Sequence, residues 1–214
     1  MTSDRAIVFY GAGGHAYVLY DMLAPAGFRL DAIFNDIPAP EGFDLKVPVL
    51  IGPAIDDWLQ GLEPAKLHYA ISIGNHYGQA RWERHRLLRG RGLNPATLTH
   101  RTSHVSPSAK IGEACQVLAF GFVGARAKLG EAVILNSRSA VDHECVLCNG
   151  VHIGPGATLS GRVHVGDHTL IGAGAVVLPD LRIGPNVIVG AGAVVTHNLD
   201  EPGVYAGAPA RRIR

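Results

Sequence analysis

The stretch from Val165 to Val195, written in sixes as VGDHTL IGAGAV VLPDLR IGPNVI VGAGAV V, places an aliphatic residue at every sixth position. The same period runs back to Val105, and all sixteen positions are Val, Ile or Leu: Val105, Ile111, Val117, Val123, Leu129, Leu135, Val141, Leu147, Ile153, Leu159, Val165, Ile171, Val177, Ile183, Val189 and Val195. A small or modestly apolar residue follows four places later, as at Ala109, Cys115 and Ala127. This period predicts a parallel β-helix in which three hexapeptides form one triangular coil.

The spacing of the repeat also sets the expected size of the β-helix. A helical interpretation fails because apolar residues do not recur at intervals of three and four. Coils of about eighteen residues stack at roughly 4.8 Å, so fifteen intervals of six predict about five coils and a core roughly 25 Å long. We therefore expect residues 101–214 to form an all-β domain, with its C-terminal extension.

The first hundred residues have a different pattern. A short apolar run, RAIVFY at Arg5–Tyr10, precedes the glycine turn GAGG at residues 11–14 and a predicted helix over 17–26. Further strands are predicted at 32–34, 48–51 and 68–73, and further helices at 53–62 and 77–90. This alternation predicts an α/β domain over residues 1–100, with a small Rossmann-like parallel sheet. Residues 99–107 lead from it into the repeat.

Composition limits the partners of this 214-residue chain. Its formal net charge is +1, so no basic field favours a nucleic-acid partner. No apolar run reaches eighteen residues and no leader pattern opens the chain, so we expect a cytoplasmic protein with no membrane partner. Arginines cluster at 81–91 and 211–214, where a phosphate partner and a solvated face both remain open.

The three cysteines could bind a metal, take part in redox chemistry or pack in the core. Cys145 and Cys148 have the C-x-x-C spacing, but no second pair completes a zinc site. Cys115 and Cys145 fall on the small inward positions of the repeat, where a thiol behaves as a small apolar group. We therefore expect no metal.

The glycine turn is a candidate phosphate site because it lets the backbone amides at a helix N-terminus approach an anion. Asn35 and Asp36 follow the second predicted strand and are placed to contact a ribose hydroxyl. The Gly74-Asn75 turn faces the same crevice. The domain lacks the second half that would hold a nicotinamide. A nucleoside diphosphate that carries a further group is therefore favoured, with a turn that binds nothing as the alternative.

An acidic and histidine-containing corner interrupts the repeat at Asp142-His143-Glu144, where other corners favour glycine. Carboxylates beside a histidine can fix its tautomer, which suits a general base, although an ordinary solvated corner has the same composition. Gly161 lies eighteen residues on, so its amide is one coil away and placed to stabilise an oxyanion. Asn136 and His152 lie on the flanking hexapeptides and reach the same cleft only if that cleft lies between subunits.

Taken together, several motifs resemble one known family. They are the Gly-x-Gly-Gly-His turn, Asp142-His143-Glu144-Cys145-Val146, the IGAGAVV coils and the closing GVYAGAPAR at residues 203–211. The chain resembles the sialic acid O-acetyltransferases and bacterial nucleotide-sugar N-acetyltransferases of glycan biosynthesis. That resemblance implies a nucleotide-sugar-binding Rossmann-like domain, a left-handed parallel β-helix that binds acetyl-CoA, and a homotrimer with active sites between subunits.

The resemblance also implies roles for individual residues. His143 matches the general base, Glu144 its orienting acid, and Gly161 the oxyanion amide. Asn136 and Asp142 match supporting polar residues, His152 matches a histidine that meets acetyl-CoA, and Ala173 and Ala191 match backbone contacts to its pantetheine arm. The implied nucleotide-sugar contacts are Gly13, Gly14, His15, Asn35, Asp36 and Gly74.

The predicted reaction is direct transfer of an acetyl group from acetyl-CoA to the amine of a 4-amino-deoxy sugar linked to UDP or GDP. Relatives often carry an acidic pair where this chain has Asn35-Asp36, so the choice of uridine or guanosine stays open. Three alternatives remain: a sialic acid O-acetyltransferase, a non-catalytic nucleotide-sugar-binding protein, and a metal-dependent hydratase. The hydratase would need His143, His164 and His168 to converge across subunits. Cys148 replaces an expected glycine, and nothing in the sequence explains it.

Overall fold

A computed structural model describes residues 5–214 of the chain. Its α-helices are α1 (Gly14–Leu23), α2 (Pro53–Leu59) and α3 (Gly78–Gly90), and short 3-10 turns cover Ala24–Ala26 and Pro64–Lys66. The first strands are β1 (Arg5–Tyr10), β2 (Phe28–Asn35), β3 (Val49–Ile51), β4 (His68–Ile71) and β5 (Asn94–Pro95).

The remaining strands are nearly all two residues long, because each hexapeptide contributes one short strand and a corner. They are β6 (Leu98–Thr99), β7 (His104–Val105), β8 (Lys110–Ile111), β9 (Gln116–Val117), β10 (Phe122–Val123), β11 (Lys128–Leu129), β12 (Ile134–Leu135), β13 (Ala140–Val141), β14 (Val146–Leu147), β15 (His152–Ile153), β16 (Thr158–Leu159), β17 (His164–Val165), β18 (Leu170–Ile171), β19 (Val176–Val177), β20 (Arg182–Ile183), β21 (Val187–Val189), β22 (Val194–Val195), β23 (Gly203–Ala206) and β24 (Arg211–Arg212).

Strands β1 to β5 form one parallel sheet in the order β3-β2-β1-β4-β5. The α/β prediction is confirmed, with several differences in detail, among them the earlier ends of α2 at Leu59 and of β4 at Ile71. Strand β2 begins four residues before the prediction because Phe28 and Leu30 are also buried. Helix α1 begins directly after the glycine turn and ends before Pro25, so it is shifted from the predicted range 17–26. Strand β5 was missed because it has only two residues and no alternating pattern.

Strands β6 to β23 form a parallel β-helix of three sheets. One sheet stacks β7, β10, β13, β16, β19 and β22; the second stacks β8, β11, β14, β17 and β20; the third stacks β6, β9, β12, β15, β18, β21 and β23. Val123 pairs with Val141 and Val141 with Leu159, so the partner of each residue is eighteen positions away. The predicted hexapeptide β-helix is confirmed, and it begins at β6, earlier than the first predicted repeat.

The aliphatic ladder fills the core of the β-helix. All positions from Val117 to Val195 in the series are buried, while Val105 and Ile111 at the first coil are partly buried and pack against the core. The second inward series includes Cys115 and Cys145, both buried as expected of small apolar groups. Strand β24 ends the third sheet in antiparallel pairing with β23.

The chain divides into two compact units. One contains the described residues up to Ile73 together with Glu83–Ala96, and the other contains Gly74–Trp82 together with Thr97–Arg214. The predicted division at residue 100 lies close to the third change of unit, after Ala96. No pattern in the sequence indicates that Gly74–Trp82, which includes the first residues of α3, groups with the β-helix.

Candidate active site

His143 lies at the corner between β13 and β14, where Glu144 bonds to its ring and Asp142 bonds to its backbone. Its Nδ1 lies 3.2 Å from Oε2 of Glu144, and its backbone N–H donates to Oδ1 of Asp142 at 2.6 Å. An ionised carboxylate only accepts, so Nδ1 carries a proton, and it is the neutral form of the ring that has a lone pair on Nε2. The side chain of His143 is 45 % exposed. This arrangement leaves Nε2 able to accept a proton.

Gly161 lies directly against that ring, as the eighteen-residue period predicted. A methyl group at Gly161 would lie 2.5 Å from both Nε2 and Cε1 of His143, closer than real contacts allow. Arg162, the next residue, donates its backbone N–H to the carbonyl of His143 at 2.9 Å, which joins the two coils at this corner. Only glycine therefore leaves room for the imidazole in this position.

The corner turns leave some backbone amides unused. Each corner whose third residue lies between Ala114 and Gly192 is a reverse turn with positive φ at that residue, and such a turn does not use the amide of its second residue. At some corners a side chain accepts from that amide, as Asn149 does for Glu131. No described residue accepts from the amides of Gly161, Ala173 and Ala191, nor from that of Ala125. The first three are the amides that the resemblance assigns to ligand contacts.

A column of alternating charge runs beside His143 and was not predicted. The residues with positive φ at one corner of four successive coils are Arg126, Glu144, Arg162 and Asp180, each eighteen positions from the next. Arg162 forms two hydrogen bonds with Asp180, at 2.5 and 2.7 Å, and this pairing holds the pKa of Asp180 below its usual range. Arg126 lies 3.7 Å from Glu144. Glu144 is therefore flanked by positive charge along the prism, and reading charges at a spacing of eighteen would have found the column.

Asn136, which follows β12, and His152, the first residue of β15, form a second polar pair. Nδ2 of Asn136 lies 3.2 Å from Nε2 of His152. Nδ1 of His152 lies 3.2 Å from the carbonyl oxygen of Asn75, in the segment that groups with the β-helix. Within residues 5–214 no hydrogen bond or ion pair connects Asn136 with His143. A single chain therefore presents the predicted catalytic residues as two separate groups.

Ala173 and Ala191 lie in one exposed column, as predicted. Gly192, the residue after Ala191, donates its backbone N–H to the carbonyl of Ala173 at 2.8 Å. Both alanines are exposed, and their amides lie one coil apart. This column offers a row of N–H donors to an extended molecule that lies along the prism.

In the first unit, the glycine turn lies at the carboxyl ends of the parallel strands. Gly13 caps the start of α1, while Gly14 and His15 open the helix. Side chains added at Gly13 and Gly14 would meet nothing within 4 Å, so the backbone there is open to a ligand. Oδ1 of Asn35 accepts from the Ala12 amide at 3.3 Å, which ties the end of β2 to the turn.

Asp36 is held by two residues that sequence analysis did not single out. The hydroxyl of Tyr10 donates to Oδ1 of Asp36 at 2.6 Å, and Arg84 pairs with the same carboxylate at 3.0 Å. Burial and then the bond to Asp36 raise the pKa of Tyr10 to about 12. The guanidinium of Arg84 also lies 5.2 Å from the centre of the Tyr10 ring. Gly74, the last predicted sugar-nucleotide contact, belongs to the other unit.

The cysteines differ in their surroundings. Burial raises the pKa of the Cys115 thiol to about 12 and raises that of Cys145 as well. Sγ of Cys148 lies 3.9 Å from Nε2 of His164. Across residues 5–214, no three His, Cys, Asp or Glu side chains converge in a way that would hold a metal ion. No helix in the same range is long and apolar enough to cross a bilayer.

Comparison with known proteins gives matches over both units. Residues 6–84 match the family described as the PglD N-terminal domain, and residues 162–197 match the bacterial transferase hexapeptide family. PerB from Caulobacter crescentus, solved with CoA and GDP-perosamine, is 33 % identical over 97 % of this chain and 96 % of that one, with a TM-score of 0.86.

Two further solved structures resemble the chain over nearly its full length. The acetyltransferase domain of PglB from Neisseria gonorrhoeae, solved with acetyl coenzyme A, is 31 % identical over 98 % of this chain and 100 % of that one, with a TM-score of 0.86. WeeI from Acinetobacter baumannii is 28 % identical over 97 % and 99 %, with a TM-score of 0.84. The likeness extends to the whole architecture, beyond the repeat alone.

Proposed function

The chain belongs to the acetyltransferases that combine a PglD-type N-terminal domain with a hexapeptide β-helix, and we propose that it acetylates the amine of a nucleotide-linked amino sugar. The acetyl donor is acetyl-CoA, and the acceptor is a sugar of the 4-amino-deoxy type linked to UDP or GDP. One observation carries the proposal: His143 holds its Nδ1 proton toward Glu144 and its free Nε2 against Gly161.

In the proposed mechanism the sugar amine attacks the thioester carbonyl directly. Nε2 of His143 accepts a proton from the nitrogen as the C–N bond forms, and the Gly161 N–H donates to the carbonyl oxygen as it becomes negative. The tetrahedral intermediate then collapses, the C–S bond breaks, and the CoA thiolate receives the proton from His143. Holding both substrates side by side supplies much of the acceleration, so no acyl-enzyme is required.

The remaining predicted residues have places in the same proposal. The open turn at Gly13, Gly14 and His15, with Asn35 and Asp36, binds the sugar nucleotide, and the contact predicted for Gly74 stays a prediction. His152 meets acetyl-CoA, and the amides of Ala173 and Ala191 bind the pantetheine arm. The unused amides of that column support the assignment.

We further propose that the protein is a homotrimer with its active sites between subunits. Within residues 5–214 no hydrogen bond or ion pair joins the His143 corner to the Asn136–His152 pair. A site that uses both therefore needs a second copy. Light scattering should give a mass three times that of the 22.6 kDa chain.

The test is an acetylation assay with acetyl-CoA and a panel of UDP-, GDP- and CMP-linked amino sugars. Thiol release reports turnover, and mass spectrometry identifies the acetylated product. We expect His143→Ala to lower kcat by about 10²-fold or more, the usual loss when a general base is removed. Thr158→Ala, an exposed change one coil away, is the matched control. A His143→Ala protein that turns over at near-normal rate contradicts the assignment of the base.

A further inference from the structure

The segment Gly74–Trp82 is fixed to the β-helix by a buried arginine. Arg81 is fully buried; its Nε donates to the carbonyl of Ala132 at 2.8 Å and its Nη2 to the carbonyl of Gly150 at 2.6 Å. Burial lowers the pKa of Arg81 to about 9, which still leaves the guanidinium charged at neutral pH. Two charge-assisted bonds inside the protein anchor the segment to two different coils.

Close packing holds the same segment at a second point. A methyl group at Gly78 would lie closer than 3 Å to the carbonyl oxygen of Gly150 and to Cα of His168. The Trp82 ring lies 5.6 Å from the His168 ring, centre to centre. These contacts therefore hold the start of α3 in a fixed place against the corner residues Gly150 and His168.

This anchoring places the Asn75 carbonyl at Nδ1 of His152, 3.2 Å away. Asn75 has a φ of +55°, a conformation that asparagine tolerates and that β-branched residues avoid. A carbonyl oxygen only accepts, so Nδ1 of His152 carries a proton. His152 is only 5 % exposed.

The opposite side of the His152 ring is fixed by Asn136. Oδ1 of Asn136 accepts from the backbone N–H of Ser137 at 2.8 Å, which turns Nδ2 toward His152. Nδ2 only donates, so Nε2 of His152, 3.2 Å away, is the acceptor. His152 is therefore neutral and protonated on Nδ1.

We propose that Asn75 is a positioning residue whose carbonyl holds His152 as a hydrogen-bond acceptor for acetyl-CoA. The inference rests on the proposed function, in which His152 meets acetyl-CoA. With Nε2 unprotonated, His152 cannot donate to the thioester carbonyl. It accepts instead from an amide N–H of the pantetheine arm, which replaces the N–H of Asn136. Stabilisation of the oxyanion then falls to the Gly161 amide.

The first test measures the tautomer of His152. If Asn75 had only a structural role, either tautomer of His152 would be acceptable. The full-length protein, labelled with ¹⁵N histidine, is examined by NMR at neutral pH, and His152 is assigned from its loss in His152→Gln. We expect a protonated Nδ1 and an unprotonated Nε2, the reverse of the tautomer that free histidine prefers. A proton on Nε2, alone or with one on Nδ1, overturns the proposal.

The second test changes the carbonyl without removing His152. Asn75→Val disfavours the positive φ and should displace the carbonyl, whereas Asn75→Gly retains it. The Val variant should show a mixture of His152 tautomers and bind acetyl-CoA about tenfold more weakly by calorimetry than the Gly variant, the loss of one hydrogen bond. Equal tautomers and equal affinities in the two variants would refute the positioning role.

These readouts separate the inference from the proposed function. If the unaltered protein does not bind acetyl-CoA, the proposed function fails whatever the His152 tautomer is. If the protein acetylates a sugar nucleotide but His152 carries its proton on Nε2, the function stands and the positioning role fails.

Discussion

At the scale of single residues, Gly161 is required by its contact with His143 and not by its backbone conformation. Its φ is not in the left-handed region, so alanine is compatible with the backbone, but a methyl group would lie 2.5 Å from Nε2. Gly161→Ala should therefore displace the imidazole and lower kcat by about 10²-fold, as expected for a misplaced catalytic group.

Thermal unfolding and steady-state kinetics together check this prediction. The melting temperature of Gly161→Ala should stay close to that of the unaltered protein, because the ring can move outward. Gly90→Ala is the control, since a side chain there meets nothing within 4 Å. A Gly161→Ala enzyme with unchanged kcat would show that the ring is free to adopt another productive position.

Two polar side chains inside the β-helix have opposite energetic roles. Oγ of Ser139 is buried and has no hydrogen-bond partner among residues 5–214, and the equivalent position of later coils is alanine, as at Ala157. Oγ1 of Thr169 donates to the carbonyl of Gly184 at 2.8 Å and accepts from the Val187 amide at 3.1 Å. An unpaired buried hydroxyl destabilises the fold, while a paired one does not.

Ser139→Ala should therefore raise stability by about 1 kcal/mol, and Thr169→Val should lower it by about 1–3 kcal/mol. For a chain of this size, each kcal/mol of change in the free energy of unfolding shifts the melting temperature by about 2–4 °C. Differential scanning calorimetry of both variants tests the pair. If Ser139→Ala melts lower than the unaltered protein, its hydroxyl is making a stabilising contact.

At the scale of elements, the strand β4 begins with a histidine whose titration should set a local pH dependence. Burial, and then the positive charge of Arg5, lowers the pKa of His68 below its usual value. The unfolded chain therefore binds a proton more readily than the folded one between the two pKa values. The stability that neutral His68 provides is complete above the unfolded pKa of about 6.5 and is lost as pH falls toward the folded pKa.

Comparison of the pH dependence of stability with and without this histidine isolates its effect. The melting temperature should fall less between pH 7.5 and pH 5 in His68→Gln than in the unaltered protein. The quantity compared is the slope, because the substitution itself shifts the absolute value. Equal slopes would mean that the ring is solvated enough to titrate normally.

Elements also show what the sequence could predict. The aliphatic ladder and the placement of Gly161 beside His143 follow from a local period, so they were predictable from spacing alone. The anchoring of α3 was not, because Arg81 bonds to carbonyls 51 and 69 residues away and an arginine in a helix normally faces water. Asn75 was likewise seen only as part of a turn. Long-range contacts of this kind produce no repeating pattern in the sequence, so they cannot be predicted from spacing.

At the scale of the whole molecule, the proposed homotrimer would bring together the two polar groups of the proposed site. Within one chain, His143 belongs to the corner after β13, while His152 pairs with Asn136 and Asn75. If each active site takes His143 from one subunit and His152 from its neighbour, two inactive variants should complement each other. Mixed trimers would contain some interfaces at which both histidines are intact.

Co-expression of His143→Ala and His152→Ala chains in equal amounts tests this arrangement. An interface is intact when the His152→Ala chain supplies its His143 and the His143→Ala chain supplies its His152. Random mixing produces this combination at about a quarter of the interfaces. Activity should therefore recover to about a quarter of the normal value, with each variant alone as the baseline. Recovery no greater than that baseline would place both histidines in one subunit, since a chain carrying either substitution would then lack a complete site in every mixture.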